Sequence, residues 1–146
     1  MKVNVTTKIT ISASPQSVFA YLSDLNKHYL WNPHLRKISP LGALQDGKEY
    51  KTLSTFLGIG VEGKNRVTKF IRNQEIQIEN STGTVQYLVN YRLQEDATKT
   101  RLVCQTTVNS SHNSFAFSAP ILKLLATREL RSDLQSLKLA VEQGIG

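Results

Sequence analysis

Cysteine is almost missing from this chain. A single thiol, Cys104, among 146 residues excludes an intramolecular disulfide framework and fits a reducing cytoplasm. Long apolar runs are missing too. No segment approaches the roughly 18 apolar residues that cross a bilayer, so no stable membrane insertion is expected. The opening MKVNVTTKITIS alternates polar with apolar residues and lacks the unbroken apolar stretch of about 7 to 15 residues in an export signal. The sequons at Asn4, Asn80 and Asn109 therefore carry no expectation of glycosylation. Acidic residues are in the minority: 11 Asp and Glu against 18 Lys and Arg give a formal charge of +7. That excess would suit nucleic acid or an anionic surface. Yet Lys2, Lys8, Lys37, Lys51, Lys69, Arg92, Lys99 and Lys123 are scattered singly, and no basic run tracks a phosphate backbone. No nucleic-acid partner is expected.

Chemical signatures are equally sparse. His28, His34 and His112 lie at no spacing that would assemble a metal site with one another or with Cys104, so no metal or other cofactor is expected. There is no Gly-x-Ser-x-Gly elbow, and the phase of Cys104 reads as a small buried hydrophobe. If Ile76 and Ile78 face the core, Glu75 and Glu79 face out. Asp46, Glu95 and Asp96 fall in turns, and the phases of Glu49 and Glu62 stay open, so no catalytic carboxylate pair is expected. The segment Gly58-Ile59-Gly60-Val61-Glu62-Gly63 matches G-x-G-x-x-G. It is followed by Lys64 to Phe70, which reads as another strand, whereas a dinucleotide fingerprint must open a helix. It is expected to be a flexible hairpin loop.

What the chain does have is 40% apolar and 20% charged residues, an ordinary globular composition for a single domain over residues 1–146. Val3, Val5, Ile9 and Ile11 alternate with polar residues, the period of a half-buried strand. Ser14-Pro15 starts a helix with Val18, Phe19 and Leu22 on one face. Asp24 caps a second short helix carrying Leu25, Tyr29 and Leu30, ended by Trp31-Asn32-Pro33. From about residue 34 to 110 the helical period disappears. Strand-like runs are divided by Asp46-Gly47, Gly58 to Gly60, Arg72-Asn73, Ser81 to Gly83 and Glu95 to Ala97, a meander of hairpins. Six runs plus the first strand predict a curved antiparallel sheet of seven strands.

From about Phe115 to Gln143 a long helix is expected, stopped by Gly144. At about 100° per residue, Leu122, Ala126, Leu130, Leu134, Leu137 and Val141 form one stripe. Ile121, Leu124 and Leu125 point elsewhere, so the first turns are apolar nearly all round. That extra face requires a cavity, an overlying loop, a partner or a membrane.

The opening strand, Ser14 to Phe19, Leu22-Ser23-Asp24, Trp31-Asn32-Pro33, and the closing Asp133 to Lys138 with Glu142 resemble the START-like, polyketide cyclase/dehydrase superfamily. The resemblance covers essentially the whole chain. It implies an α+β helix-grip fold, shared with the birch pollen allergens, whose sheet wraps the long C-terminal helix, with two short helices between strands 1 and 2. It further implies an internal cavity for a hydrophobic ligand such as a lipid, polyketide or quinone.

The residues expected to line that cavity are Trp31, Tyr87, Tyr91, Cys104, Thr106, Phe115, Phe117, Ile121 and Leu125, with Gly58, Gly60 and Gly63 in a loop at its mouth. Two tyrosines and a threonine on one face are polar for a dry core, and suit a small-molecule pocket. The expected function is binding of a small hydrophobic ligand by a monomer or weak homodimer, with no catalytic residue assigned. An aromatase-type cyclase/dehydratase using tyrosine hydroxyls and His34 or His112, and an interaction module built on the apolar start of the last helix, are the alternatives. Binding requires a space of several hundred cubic ångströms whose polar lining is only hydroxyls. Catalysis requires a histidine or carboxylate projecting into it.

Overall fold

A computed structural model describes residues 1–110, 115 and 117–144; His112 lies outside them. The chain runs β1 (Lys2–Ile11), α1 (Pro15–Leu22), a 3-10 turn (Leu25–Lys27), α2 (His28–Trp31), β2 (Leu35–Ser39), β3 (Glu49–Phe56), β4 (Ile59–Ile71), β5 (Glu75–Asn80), β6 (Val85–Asp96), β7 (Lys99–Ser110) and α3 (Ala119–Gln143). Among the described residues seven strands form one antiparallel sheet in the order β1-β7-β6-β5-β4-β3-β2. This is the α+β helix-grip architecture.

Local chemistry accounts for most boundaries. Ser14 Oγ accepts the Ser17 amide at 3.2 Å ahead of Pro15, a proline that needs no donor in the first turn. Asp24 Oδ1 accepts the Asn26 amide at 2.9 Å. The second short helix is thus a 3-10 turn running into a single α-helical turn, and extended Asn32 ahead of Pro33 ends it. α3 begins at Ala119 rather than near Phe115, with Pro120 in its first turn, and Gly144 at φ +65° closes it. Register shifts between Leu35 and Lys37 and between Val67 and Lys69 bend the sheet locally.

Val3, Val5, Thr7 and Ile11 point inward from β1. Leu122, Ala126, Leu134, Leu137, Ala140 and Val141 point inward from α3. The apolar interior divides in two. One cluster gathers Ile11, Leu22, Leu25, Trp31, Ile76, Leu102 and Leu137; the other gathers Val3, Val5, Val61, Val85, Val108, Phe115, Leu122 and Ala126. The candidate site draws walls from both. Arg92 and Arg101 are exposed on the outer face of the sheet, and Arg92 faces Glu75 at 3.8 Å.

Candidate functional site

Between the concave sheet and the middle of α3 lies a cavity of about 190 Å³. Its walls pair across strands: Tyr91 stands opposite Cys104, Val89 opposite Thr106 and Tyr87 opposite Val108. All six line the space, together with Trp31, Tyr50, Thr52, Asn65, Leu130 and Asp133. An apolar cavity engineered at about 150 Å³ admits benzene, so the space suits a single substituted ring. It is smaller than the several hundred cubic ångströms expected.

The floor is a hydroxyl and amide cluster. Tyr87 Oη donates to Asn65 Oδ1. Asn65 Nδ2 donates to Thr52 Oγ1 at 3.0 Å and to the Tyr50 carbonyl at 3.3 Å. Burial raises the tyrosine pKa values at positions 50, 87 and 91, so the phenols remain protonated at neutral pH. Cys104 Sγ lies 3.7 Å from Thr106 Oγ1, and burial pushes its thiol up to about 11, which removes it as a nucleophile.

The opposite corner is charged. Glu129 and Asp133, one turn apart on α3, both face His34. His34 Nε2 is 3.1 Å from Glu129 Oε1 and 3.5 Å from Asp133 Oδ1. Glu129 Oε2 also accepts the Leu57 amide at 2.9 Å, tying the tip of the β3–β4 hairpin to the helix. Asp133 Oδ1 is buried and makes no hydrogen bond. Burial, and then the neighbouring Glu129, raises the Asp133 carboxyl to about 7. His28 also lines the cavity, but its Nε2 lies 2.8 Å from the Leu22 carbonyl and burial lowers its pKa. It is a neutral core histidine donating to a carbonyl.

Several expected positions lie elsewhere. Trp31, Tyr87, Tyr91, Cys104 and Thr106 line the cavity, whereas Phe115, Phe117, Ile121 and Leu125 do not. Phe115 packs edge-on against Phe56 with ring centroids 5.8 Å apart. Phe117, Ile121 and Leu124 are exposed, and Leu125 is half-buried. The cavity meets α3 at Leu130, Asp133 and Leu134. Leu122 and Ala126 occupy the inward positions of the first turns and pack into the second core cluster. Of the three glycines, Gly58 is in the hairpin turn and the other two are not. The connection is a two-residue turn, Leu57-Gly58, with φ of +52° and +80°, and Gly60 and Gly63 belong to β4. Gly63 is buried on the floor, where a Cβ would collide with the Tyr87 hydroxyl and Thr52.

The polar lining exceeds hydroxyls, since His34, Asn65 and Asp133 contribute to it. Asp133 left a trace in the sequence: three residues after Leu130 and four before Leu137, it falls inside the apolar arc. Asn65 likewise sits in phase with Val61 and Val67, and Tyr50 with Thr52 and Ser54. Glu49, Glu62 and Glu79 are exposed, and Glu75 points outward to Asn90, Lys69 and Arg92. Among the described residues no His, Cys, Asp or Glu group is arranged to hold a metal, and no helix is long and apolar enough to cross a membrane.

A family model described as polyketide cyclase / dehydrase and lipid transport matches residues 2–142. The chain belongs to that family. Solved structures agree on the fold of this family member. A START superfamily protein from Mycobacterium smegmatis superposes with a TM-score of 0.80 at 19% identity, covering 96% of this chain and 97% of that one. A protein of Thermus thermophilus gives 0.80 at 16% identity, covering 98% and 99%. The Zhui aromatase/cyclase of a Streptomyces strain gives 0.79 at 15% identity, covering 100% and 97%. A sequence search of curated proteins finds no match.

The Glu129 contact makes a local prediction for this polyketide cyclase / dehydrase family member. A hydrogen bond to a charged group contributes about 1.5–3 kcal/mol, so Glu129→Ala should speed amide exchange at Leu57 by roughly tenfold or more. Unchanged protection of that amide, measured by hydrogen exchange and NMR, would show that the hairpin tip is held by packing alone.

Proposed function

We propose that this protein binds a small hydrophobic or amphipathic ligand between sheet and α3, as a cytoplasmic carrier or store. The observation that carries this is an unfilled space of about 190 Å³ with apolar walls and a few polar groups, the composition of small-molecule sites. Tyr50 and Tyr91 face that space, and their hydroxyls make no hydrogen bond among the described residues. Native mass spectrometry of the purified protein should reveal a co-purified small molecule. Thr106→Phe, which fills the space from the sheet side, should reduce its occupancy about tenfold or more. A folded protein that carries no ligand and takes up none from a panel of single-ring hydrophobes would overturn the reading.

His34 and Asp133 in the lining favour a second reading, a cyclase/dehydratase acting in the same cavity. A carboxyl that titrates near 7 can accept or return a proton at neutral pH, while the protonated tyrosines orient a carbonyl. Turnover of a poly-β-carbonyl substrate that is lost in Asp133→Asn would select this reading over simple binding.

A further inference from the structure

The lining of the cavity is selective in charge. Lys and Arg number 18 in the chain, yet none lines this space, while Asp133 does and Glu129 stands beside it on α3. His34 is the one basic side chain in reach of both acids among the described residues. One imidazole nitrogen cannot serve two acids equally: it approaches Glu129 at 3.1 Å and leaves Asp133 Oδ1 buried without a hydrogen bond. One ring nitrogen thus leaves the second acid without a hydrogen-bonded partner.

Independent of the acids, the facing wall lacks partners. Tyr50 is 6% exposed, and its hydroxyl, like that of Tyr91, makes no hydrogen bond among the described residues. Both phenols remain protonated, so each offers oxygen lone pairs as well as a donor. The ring faces of Trp31, Tyr50, Tyr87 and Tyr91 attract a cation through their quadrupoles. A carboxylate or phosphate head would meet two acids and no Lys or Arg, with His34 already engaged by those acids, and would add a buried charge of the wrong sign.

We propose that the ligand is a protonated primary amine on a small aromatic or aliphatic body, its ammonium seated against Asp133 and Glu129 and its body among Trp31, Tyr50, Val89 and Tyr91. This rests on the binding reading above and names its ligand class. An ammonium has three donors, enough for the Asp133 oxygen that lacks a hydrogen bond, Glu129 and one phenol oxygen. The volume suits a ring with a two-carbon arm, about nine non-hydrogen atoms.

The groups that face Asp133 are Glu129 on its own helix, His34 ahead of β2, Tyr91 on β6 and Cys104 on β7. A carboxyl that ionises near 7 ties amine binding to pH. The amine remains cationic while Asp133 loses its proton, so affinity rises with pH.

The test titrates the whole protein by calorimetry with 2-phenylethylamine, 2-phenylethanol and phenylacetate, which share a ring and differ in head group. At pH 8 the amine should bind at least about tenfold more tightly than the alcohol or the carboxylate. Its affinity should rise roughly tenfold from pH 6 to pH 8, and Asp133→Asn or Glu129→Gln should reduce the amine-to-alcohol ratio to within about threefold. Two variants are used so that a folding defect in one does not decide the outcome. Equal binding of all three compounds, or an undiminished ratio in both variants, overturns the amine assignment and leaves ligand binding standing. Failure of all three to bind overturns the amine assignment and also counts against the cavity as a site for single-ring ligands.

Discussion

Gly63→Ala is expected to destabilise the protein by about 2–4 kcal/mol, a large effect for one methyl group on a strand. Gly63 is buried on the inward face of β4, paired with Thr52 of β3. A Cβ there would land inside the contact radius of the Tyr87 hydroxyl and Thr52 Oγ1, and 3.0 Å from Asn65 Nδ2. None of these atoms can step aside cheaply. The Tyr87 hydroxyl ends a rigid ring bonded to Asn65, and Asn65 is bonded in turn to Thr52 and the Tyr50 carbonyl. Overpacking alone costs about 1–3 kcal/mol, and a buried polar group left unpaired adds about 1–3 more. Urea denaturation reads the loss. The double variant Gly63→Ala with Tyr87→Phe removes the hydroxyl that collides, so it should recover about 1 kcal/mol or more relative to additivity. A cost below about 0.5 kcal/mol, or strict additivity, would mean the floor cluster is loose.

The same residue marks where sequence reasoning stops. Alternation alone establishes which side chains point inward, because a one-residue slip would turn every one of them over. Tyr87, Tyr91, Cys104 and Thr106 were legible for that reason. Gly63 carries no hydropathy signal, and beside Gly58 and Gly60 it looks like a loop. Only the Tyr87 ring arriving from β6, 24 residues later in the chain, shows why the position must be bare. Leu57 conceals where that hairpin turns in a similar way, since both turn positions take positive φ, a conformation for which Asn-Gly is the usual signal.

Position along α3 is the other limit. Helical phase identifies the face of Leu122, Leu130 and Leu137, but not how far along the axis the cavity lies. That depends on packing between β1 and α3, elements more than 100 residues apart. Ile121 and Leu125 are expected to reach the space because the first turns are apolar nearly all round, and Phe115 and Phe117 as aromatics just ahead of the helix. The structure instead brings the middle turns to it. Asp133 is the most informative departure, because an acid inside an apolar arc is the kind of local conflict that folding alone would not retain.

Asp133→Asn should therefore stabilise the free protein, by about 2–4 kcal/mol at pH 8. The unfolded carboxyl loses its proton near 3.8, whereas the folded one holds it until about 7. Between those values the folded Asp133 binds more protons than the unfolded one, so its contribution to wild-type stability falls as pH rises through this window and stays low above it. The full shift corresponds to about 4 kcal/mol. The 17% exposure of the side chain supports the lower part of the range. Asparagine has the same shape and no charge to desolvate, so the two proteins should be equally stable near pH 4 and diverge up to about pH 8. His28, whose pKa burial lowers, acts in the opposite sense: it costs stability as pH falls below 6.5. It is present in both proteins and cancels from their difference. Urea titrations at half-unit pH intervals give that difference directly. A flat difference, or a less stable variant at pH 8, would mean that His34 neutralises Asp133 in the free protein. A carboxylate retained at such a cost marks a site kept for a ligand or a proton transfer rather than for the fold. Saturating 2-phenylethylamine should narrow the gap at pH 8, because it supplies the missing positive charge to the wild type and not to the variant.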